Sequence, residues 1–223
     1  MNDLLLQNIT VNKLGKFILK DINLSFEKNK IYGVMGHNGA GKTTLFRCLL
    51  GLVKYSGIIS LEGVEQNEEN RKEYLKQIGI VMPFPEEYDN VMIEDLIKEH
   101  LFYMGCSNKV EIQKMLNDVG LFVSKITTIK DLSLGMKQRL NIAIALSHNP
   151  SILILDEPLN GLDKEGVEQL VHIIQNFKNE NKIVIISSHS FGDFESIIDE
   201  MIILKNGEIV EKRRRENESD IFI

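Results

Sequence analysis

The stretch KIYGVMGHNGAGKTT, residues 30–44, decides the fold prediction because it joins an apolar strand to a glycine-rich loop and a helix start. From Gly36 to Thr43 it fits the pattern G-x-x-x-x-G-K-[ST]. Glycines let backbone N–H groups turn inward around phosphate oxygens, where a side chain would block the approach. The following helix points its positive end at the anion, Lys42 reaches the β- and γ-phosphates, and the Thr43 hydroxyl ligates magnesium. The predicted nucleotide-binding residues are Gly36, His37, Asn38, Gly39, Ala40, Gly41, Lys42, Thr43 and Thr44.

A second pattern places two adjacent carboxylates at the end of an apolar strand. Residues 151–157 are SILILDE, ending on Asp156 and Glu157. Ligands of open α/β sheets bind beside the carboxyl ends of the strands. We therefore expect Asp156 to hold magnesium, directly or through water, and Glu157 to polarise a water for attack on the γ-phosphate. Without the phosphate-binding loop, a helix N-cap and a surface glutamate would explain the pair better.

A third apolar strand ends on a histidine. Residues 183–189 are IVIISSH, so His189 arrives at the same predicted edge as Gly36 and Asp156. A lone histidine is usually structural, but the convergence of three strand ends favours a functional role. There the imidazole can bind a γ-phosphate oxygen and orient the attacking water.

The segment LSLGMKQR, residues 132–139, precedes an apolar helix and offers a second anion site. Ser133 supplies a hydroxyl, and the backbone around Gly135 supplies N–H groups at a helix N-terminus. One nucleotide does not need two such sites. A plausible use is to complete a nucleotide held by another copy, which predicts a dimer, although an ordinary N-capped helix would show the same spacing.

Composition narrows the class of protein. The chain has 223 residues, of which 43% are hydrophobic and 26% charged, with a formal net charge of -6. These values suit a globular chain and argue against a nucleic-acid footprint. Two cysteines, with no apparent signal peptide, suggest free thiols in a reducing cytoplasm. No apolar run approaches the ~20 residues of a spanning helix.

The order of strand and helix patterns predicts an α/β fold with a mostly parallel sheet, an antiparallel β portion near its start and an inserted helical subdomain. Predicted strands lie at residues 4–10, 18–26, 30–36, 56–61, 78–82, 151–155, 183–187 and 201–205. Predicted helices lie at residues 42–52, 92–104, 110–119 and 135–147. The single domain 1–223 is thus divided into a core with the β portion (1–86 and 149–210), a helical subdomain (87–148) and a charged tail (211–223). Asn206-Gly207 predicts a hairpin.

Together these motifs resemble the ATP-binding subunits of ABC transporters, over about residues 4–210, and the LSxGM form resembles bacterial exporters of drugs, lantibiotics and bacitracin-like peptides. The resemblance implies a P-loop NTPase core that binds ATP and Mg²⁺ and hydrolyses ATP. It implies a homodimer or heterodimer in which Ser133, Gly135 and Asp163 meet the partner's nucleotide, Asp163 being otherwise a helix N-cap. It also implies a separate membrane permease as partner, no nucleic acid, and a cytoplasmic location on the inner face of the membrane.

Two positions depart from that family. Its members place an aromatic ring near the start of the chain to stack on adenine; here Leu14 stands near that place, and Phe17 is either the substitute or a core strand residue. Its members also carry a glutamine after the strand at 78–82, where this chain has Pro83. Proline cannot ligate magnesium through its side chain, so the usual contact with magnesium and permease is absent from this position.

Two other functional classes fit the sequence less well than a transporter subunit. A soluble ABC-type ATPase acting on nucleic acid or ribosomes usually carries long coiled coils, tandem cassettes or basic patches, which this sequence lacks. A P-loop kinase or GTPase would leave LSLGM without a role, and no N-K-x-D guanine signal is found.

Overall fold

The computed structural model describes residues 3–106, 110–190 and 192–215, so the predicted charged tail lies outside the described residues from residue 216 onward. The strands are β1 (Leu4–Lys13), β2 (Lys16–Phe26), β3 (Lys30–Met35), β4 (Ser56–Leu61), β5 (Val64–Glu65), β6 (Ile78–Val81), β7 (Ile152–Asp156), β8 (Ile183–Ser188), β9 (Glu200–Lys205) and β10 (Glu208–Arg214). The α-helices are α1 (Lys42–Leu49), α2 (Arg71–Leu75), α3 (Ile93–Met104), α4 (Ile112–Asp118), α5 (Leu134–Leu146) and α6 (Lys164–Asn179).

A four-stranded antiparallel sheet, in the order β2-β1-β4-β5, forms the predicted antiparallel portion. Alternation along β1 buries Leu4 and Leu6 and then, after a register shift, Ile9 and Val11. The shift coincides with Asn8, whose φ of 53° is left-handed. This irregularity keeps the apolar side chains of β1 on the inner face of the sheet.

The six-stranded main sheet has the order β10-β9-β3-β8-β7-β6, and every pair except β9–β10 is parallel. The central strands β3 and β8 and their neighbour β7 are apolar runs buried on both faces, as expected for a covered parallel sheet. The predicted hairpin is confirmed at Asn206 and Gly207, whose φ values of 51° and 79° suit a type I′ turn.

Three of the helices, α3, α4 and α5, lie between β6 and β7, within the range 87–148 predicted as a helical subdomain, and are called the helical block below. Apolar side chains of these helices, including Ile97, Leu116 and Leu140, share one buried cluster with Leu155 and Ile186 on one face of the main sheet. A second cluster fills the space between the main sheet and the antiparallel sheet. The predicted fold class is therefore confirmed.

Several elements differ from the sequence-based expectation: the short elements β5 and α2 were not predicted, and β1 and β2 extend beyond their predicted bounds. Helix α6 was not predicted, although a parallel connection from β7 to β8 requires a crossover and Leu170, Ile174 and Phe177 follow a helical period along its buried face. Helix α1 ends at Leu49 rather than at residue 52. Strand β10 continues through Arg214, so residues 211–214 of the predicted tail form the edge of the sheet. None of the helices described combines the length and apolar character needed to cross a membrane.

Candidate functional site

The loop of residues 36–43 connects the central strand β3 to helix α1. Gly39 and Gly41 have φ values of +82° and +113°, a backbone conformation that favours glycine. A Cβ on Gly41 would also lie 2.8 Å from Leu19 Cδ2, and one on Gly36 would lie 2.5 Å from Leu204 O. Backbone conformation and close packing both demand glycine, so the loop presents main chain rather than side chains.

Helix α1 begins beside this loop without a side-chain cap, since its N-cap is Gly41. Its first turn contains no acidic side chain, and half-buried Thr43 and Thr44 occupy its second and third positions. The uncapped N–H groups and the positive end of the helix dipole suit an anion such as a phosphate. Within the loop, His37 and Asn38 are exposed, and Ala40 N donates to His37 O at 3.0 Å.

Lys42 is the charged group closest to the loop backbone, and only 6% of its surface is exposed. Its Nζ donates to Gly36 O at 2.6 Å and lies 3.2 Å from Glu157 Oε1. These two contacts fold the side chain back over the loop. The ammonium therefore lies between the phosphate-binding backbone and the carboxylate at the end of β7.

Asp156 is held by hydroxyl groups on both carboxylate oxygens. Thr43 Oγ1 donates to Asp156 Oδ2 at 2.9 Å, and Ser187 Oγ donates to Asp156 Oδ1 at 2.5 Å. A hydroxyl and a carboxylate at this separation fit Mg²⁺, which takes few protein oxygens and completes its shell with water and phosphate. No cluster of three or more Asp, Glu, His or Cys side chains suited to a metal is found in the described ranges.

Glu157 and His189 form a second pair at the same sheet edge. His189 Nδ1 lies 3.1 Å from Glu157 Oε2, and the imidazole is 69% exposed whereas the carboxylate is 25% exposed. Glu157 has a left-handed φ of 50°, and its N–H donates to Ser187 Oγ at 3.1 Å. This bent backbone turns the carboxylate toward both Lys42 and His189. The three strand ends that the sequence analysis expected at one edge do converge there.

Ser187 is a site residue that the sequence analysis did not identify. It is fully buried near the end of β8, donates to Asp156 and accepts from the Glu157 N–H. Its signal in the sequence is the polar pair at the end of an otherwise apolar strand, IVIISS. A buried hydroxyl requires hydrogen-bond partners, and the partners of Ser187 are Asp156 at the end of β7 and Glu157 immediately after it.

Phe17 lies near the start of β2. Its side chain is 52% exposed, so the alternative of a core strand residue is wrong. The carbonyl of the next residue, Ile18, is 3.1 Å from the position of a Cβ on Gly41. Leu14, at the other candidate position, is fully exposed in the β1–β2 turn with a φ of 51°. Phe17 is therefore half-exposed one residue before Ile18, whose carbonyl approaches the loop at Gly41.

Ser133, Gly135 and Asp163 lie together, away from the loop. Ser133 caps α5, accepting from Met136 N at 3.3 Å, and Asp163 caps α6, accepting from Gly166 N at 2.9 Å. Gly135 packs so closely on the turn before α6 that a Cβ there would lie 2.5 Å from Gly161 O. Across the part of the chain that is described, no hydrogen bond or ion pair connects these three residues to residues 36–44. These three residues therefore form a group separate from the loop.

Pro83 is exposed two residues after β6, whose last residue, Val81, pairs with Leu155. Pro83, which occupies the position of the family's glutamine, therefore lies close to the end of β7, where Asp156 and Glu157 lie. The segment that follows, Glu86–Tyr88, forms one turn of 3₁₀ helix.

Comparison with known proteins relates the chain to one family. The family model described as ABC transporter matches residues 19–160. The chain is 38% identical over 221 residues to the lantibiotic transport ATP-binding protein SrtF of Streptococcus pyogenes, covering 97% of this chain and 94% of that protein. It is 40% identical over 193 residues to the bacitracin transport ATP-binding protein BcrA of Bacillus licheniformis, covering 86% and 63%.

Solved structures show the same fold. An ATP-binding subunit of an ABC transporter superposes with a TM-score of 0.84 at 23% identity, covering 95% of this chain and 89% of that one. A dimeric bacterial ABC transporter cassette superposes with a TM-score of 0.79 at 22% identity, covering 95% and 98%.

Proposed function

The chain belongs to the ABC transporter family, and we propose that it is the subunit that binds and hydrolyses ATP to power a separate membrane permease. The observation that carries the proposal is the convergence of Lys42, Asp156, Glu157 and His189 at one sheet edge beside the loop of residues 36–43. A lysine and loop amides suit the charged phosphates, and a carboxylate paired with an imidazole suits activation of water.

In this proposal each residue has a defined task. The loop from Gly36 to Thr44 and Lys42 bind the β- and γ-phosphates, and Phe17 stacks on the adenine. Thr43 and Asp156 hold Mg²⁺, which when bound neutralises phosphate charge. Glu157 accepts a proton from the attacking water, and His189 orients that water and the γ-phosphate. Ser187 keeps Asp156 and Glu157 in place through its two hydrogen bonds.

The group of Ser133, Gly135 and Asp163 serves a partner copy. Ser133 and Gly135 present a helix N-terminus, and Asp163 lies beside them. A closed dimer would bind each ATP between the loop of one copy and this segment of the other, in a homodimer or a heterodimer. ATP drives closure because it binds the closed dimer more tightly than the open one, and hydrolysis reverses it. A bacterial ABC transporter cassette of similar fold is dimeric, which supports the proposal of a dimer.

The permease and the cargo are proposed from the relatives. Those relatives are named for lantibiotic and bacitracin transport, which favours export of an antimicrobial peptide, a drug or a related compound. The chain would then lie on the inner face of the membrane, attached through the permease. A net charge of -6 gives no support to a nucleic-acid partner.

Glu157→Gln tests the hydrolysis and the dimer together. The amide cannot accept the proton, so hydrolysis slows by at least about 100-fold while ATP binding persists, and a dimer accumulates with ATP and magnesium. Turnover and gel filtration measure both, with exposed Glu69→Gln as the matched control. Unchanged turnover would contradict the role of Glu157, and a monomer with nucleotide bound would contradict the dimer.

Cell fractionation tests the partner. The tagged chain is expected with the membrane fraction, together with a protein that spans the membrane several times. Recovery with ribosomes or DNA would instead support the alternative of a soluble ABC-type ATPase that acts on nucleic acid or ribosomes.

A further inference from the structure

Arg139, the last residue of the segment LSLGMKQR, connects separate parts of the chain. Its Nη1 donates to Val119 O at 2.9 Å and to Gln169 Oε1, and its Nη2 lies 3.4 Å from Asp163 Oδ1. Val119 follows α4, whereas Asp163 caps α6 and Gln169 lies within it. The Arg139 side chain is only 17% exposed. Arg139 thus links the helical block to the segment that follows Glu157.

Two glycines leave room for this guanidinium. A Cβ on Gly120 would lie 2.6 Å from Arg139 Nη1, and one on Gly166 would lie 2.9 Å from Arg139 Nη2 and 2.8 Å from Asp163 Oδ1. Gly120 also has a φ of +69°, which alone favours glycine. Gly166 lies inside α6, where glycine is a poor helix former. Space for Arg139 and for the Asp163 cap therefore explains the glycine at 166.

Two further contacts come from the same face of α5. Gln138 Nε2 donates to Pro158 O at 2.8 Å, immediately after Glu157. Gly135 packs against the carbonyl of Gly161. Because residues three and four apart share a helix face, Gly135, Gln138 and Arg139 all point at the turn between β7 and α6.

We propose that Arg139 is a positioning residue that holds the loop of Ser133 and Gly135 and the cap Asp163 in one fixed arrangement. This inference rests on the proposed function, in which that arrangement completes the nucleotide site of the partner copy. Arg139 touches neither the phosphate-binding loop nor Glu157 through any contact among the described residues. Its effect is therefore exerted on the nucleotide bound by the other copy, and not on the nucleotide bound by its own chain.

The geometry requires arginine rather than lysine. The three acceptors, Val119 O, Gln169 Oε1 and Asp163 Oδ1, belong to different segments and are reached by two nitrogens of one planar group. A lysine ammonium keeps the charge and most of the aliphatic stem but cannot reach all three acceptors at once. The Arg139→Lys variant is thus expected to fold normally, but Ser133, Gly135 and Asp163 are no longer held in their fixed arrangement.

The first measurement compares three variants in a Glu157→Gln background: Arg139→Lys, Arg139→Met and Gly166→Ala. We expect ATP affinity of the monomer to stay at the parental value, while the concentration for half-maximal ATP-dependent dimerisation rises by about tenfold or more. Gly166→Ala displaces the side-chain ends of Arg139 and Asp163 without removing either. Because the better helix propensity of alanine offsets the weakened Asp163 cap, its thermal unfolding should stay close to that of the parent. Lys114→Met, at an exposed position on α4, is the charge-matched control. Parental dimerisation of both Arg139→Lys and Gly166→Ala would overturn the inference.

The deciding experiment uses two mixed dimers that carry the same substitutions in different arrangements, all in the Glu157→Gln background. In the first, an immobilised Arg139→Met chain captures a Lys42→Ala chain, so the bound ATP is completed by an intact Arg139. In the second, an immobilised chain with Arg139 intact captures a Lys42→Ala, Arg139→Met chain, so the ATP is completed by the variant. The mobile chain lacks Lys42 and does not pair with itself.

We expect the second arrangement to need at least about tenfold more mobile chain for half-maximal capture with ATP. Equal capture in both arrangements would show that Arg139 supports only the fold and would overturn the inference. If the parental Glu157→Gln chains themselves showed no ATP-dependent pairing, the proposed dimer would fail, and the inference with it, while the assignment of ATP hydrolysis would still be tested separately by turnover.

Discussion

Single side chains at this site retain little freedom before any ligand arrives. Asp156 has a hydroxyl on each oxygen, and Lys42 is buried with partners on two sides. Such preorganisation matters because groups already in place do not need to reorganise when charge develops on the phosphates. His189 is the exception, since most of its imidazole is exposed and Glu157 is its one polar partner among the described residues.

Lys42→Ala is expected to weaken ATP binding by at least about 100-fold, because the variant loses a charge-assisted contact to the phosphates that loop amides alone do not replace. A fluorescence titration with ATP measures the change, and Lys98→Ala, on the exposed surface of α3, is the control. Parental affinity in the Lys42 variant would remove the phosphate-binding assignment of this loop.

His189→Ala is expected to bind ATP almost normally and to hydrolyse it about 100-fold more slowly. The imidazole lies 3.1 Å from Glu157 and acts at the γ-phosphate and the attacking water, so the ground-state complex depends on it little. Binding constants and single-turnover rates separate the two effects. An equal fall in affinity and rate would indicate a structural histidine.

At the scale of elements, a histidine pair connects the helical block to the main sheet. His100 Nε2 on α3 lies 3.1 Å from His148 Nδ1 just after α5, and His148 Nε2 lies 3.2 Å from Ile78 O at the start of β6. Burial, and then the neighbouring His148, lowers the pKa of His100 to about 4. Burial also lowers the pKa of His148, against a smaller opposite effect of the Ile78 carbonyl. Both imidazoles are therefore neutral in the folded chain near pH 7.

This pair predicts a loss of stability in acid. The unfolded chain takes up protons below the ordinary histidine value of about 6.5, whereas folded His100 does so only near 4. The contribution of the neutral histidine pair to the free energy of unfolding is fully present above about pH 7. It decreases by roughly 1–3 kcal/mol as the pH falls from 6.5 toward 4. In urea unfolding, the free energy of unfolding of His100→Leu should fall less with decreasing pH than that of the parent. The control His172→Leu, at an exposed position, should show the same fall as the parent. Parallel curves for the parent and His100→Leu would contradict the prediction.

The same scale shows which elements the sequence predicts. Strands β3, β7 and β8 are buried apolar runs that end in polar residues, so their type and their common edge follow from local pattern. Helix α6 was missed although Asp163 offers an N-cap and Leu170, Ile174 and Phe177 recur at helical spacing, and its one contrary signal is the poor helix former Gly166 in the first turn. The His100–His148 pair and the contacts of Arg139 join residues that are distant in sequence, and no local pattern specifies such contacts. Phe17 shows a further limit, since a strand pattern does not state which side chains remain exposed.

For the whole molecule, the order of the main sheet places the phosphate-binding loop at its centre. Strand β3 lies between β8 and β9, both of which come late in the chain. The hairpin after β9 also secures the loop, because Gly207 N donates to Ala40 O at 2.9 Å and Gly207 O accepts from Lys20 N at 2.8 Å. One glycine thus joins the loop, the antiparallel sheet and the last hairpin.

A chain that ends at Lys205 is accordingly expected to bind ATP at least about tenfold more weakly, since the loop loses its bond to Gly207. Isothermal titration measures this loss, and a chain that ends at Arg215 is the control because it retains β10. Equal affinities for the two truncated chains would show that the loop does not depend on the hairpin.

The order of the elements along the chain also determines when the loop can pack during translation, because β8, β9 and the hairpin come after it. The residues of the phosphate-binding loop leave the ribosome well before β8 and β9, the strands that flank β3, are translated. At about 5–20 residues per second the loop waits roughly 10–30 s for its neighbours. During that interval ATP cannot assist folding, and the apolar residues of β3 are open to chaperones. Nucleotide therefore stabilises only finished chains, and a ribosome that stops early releases a product that ATP cannot rescue.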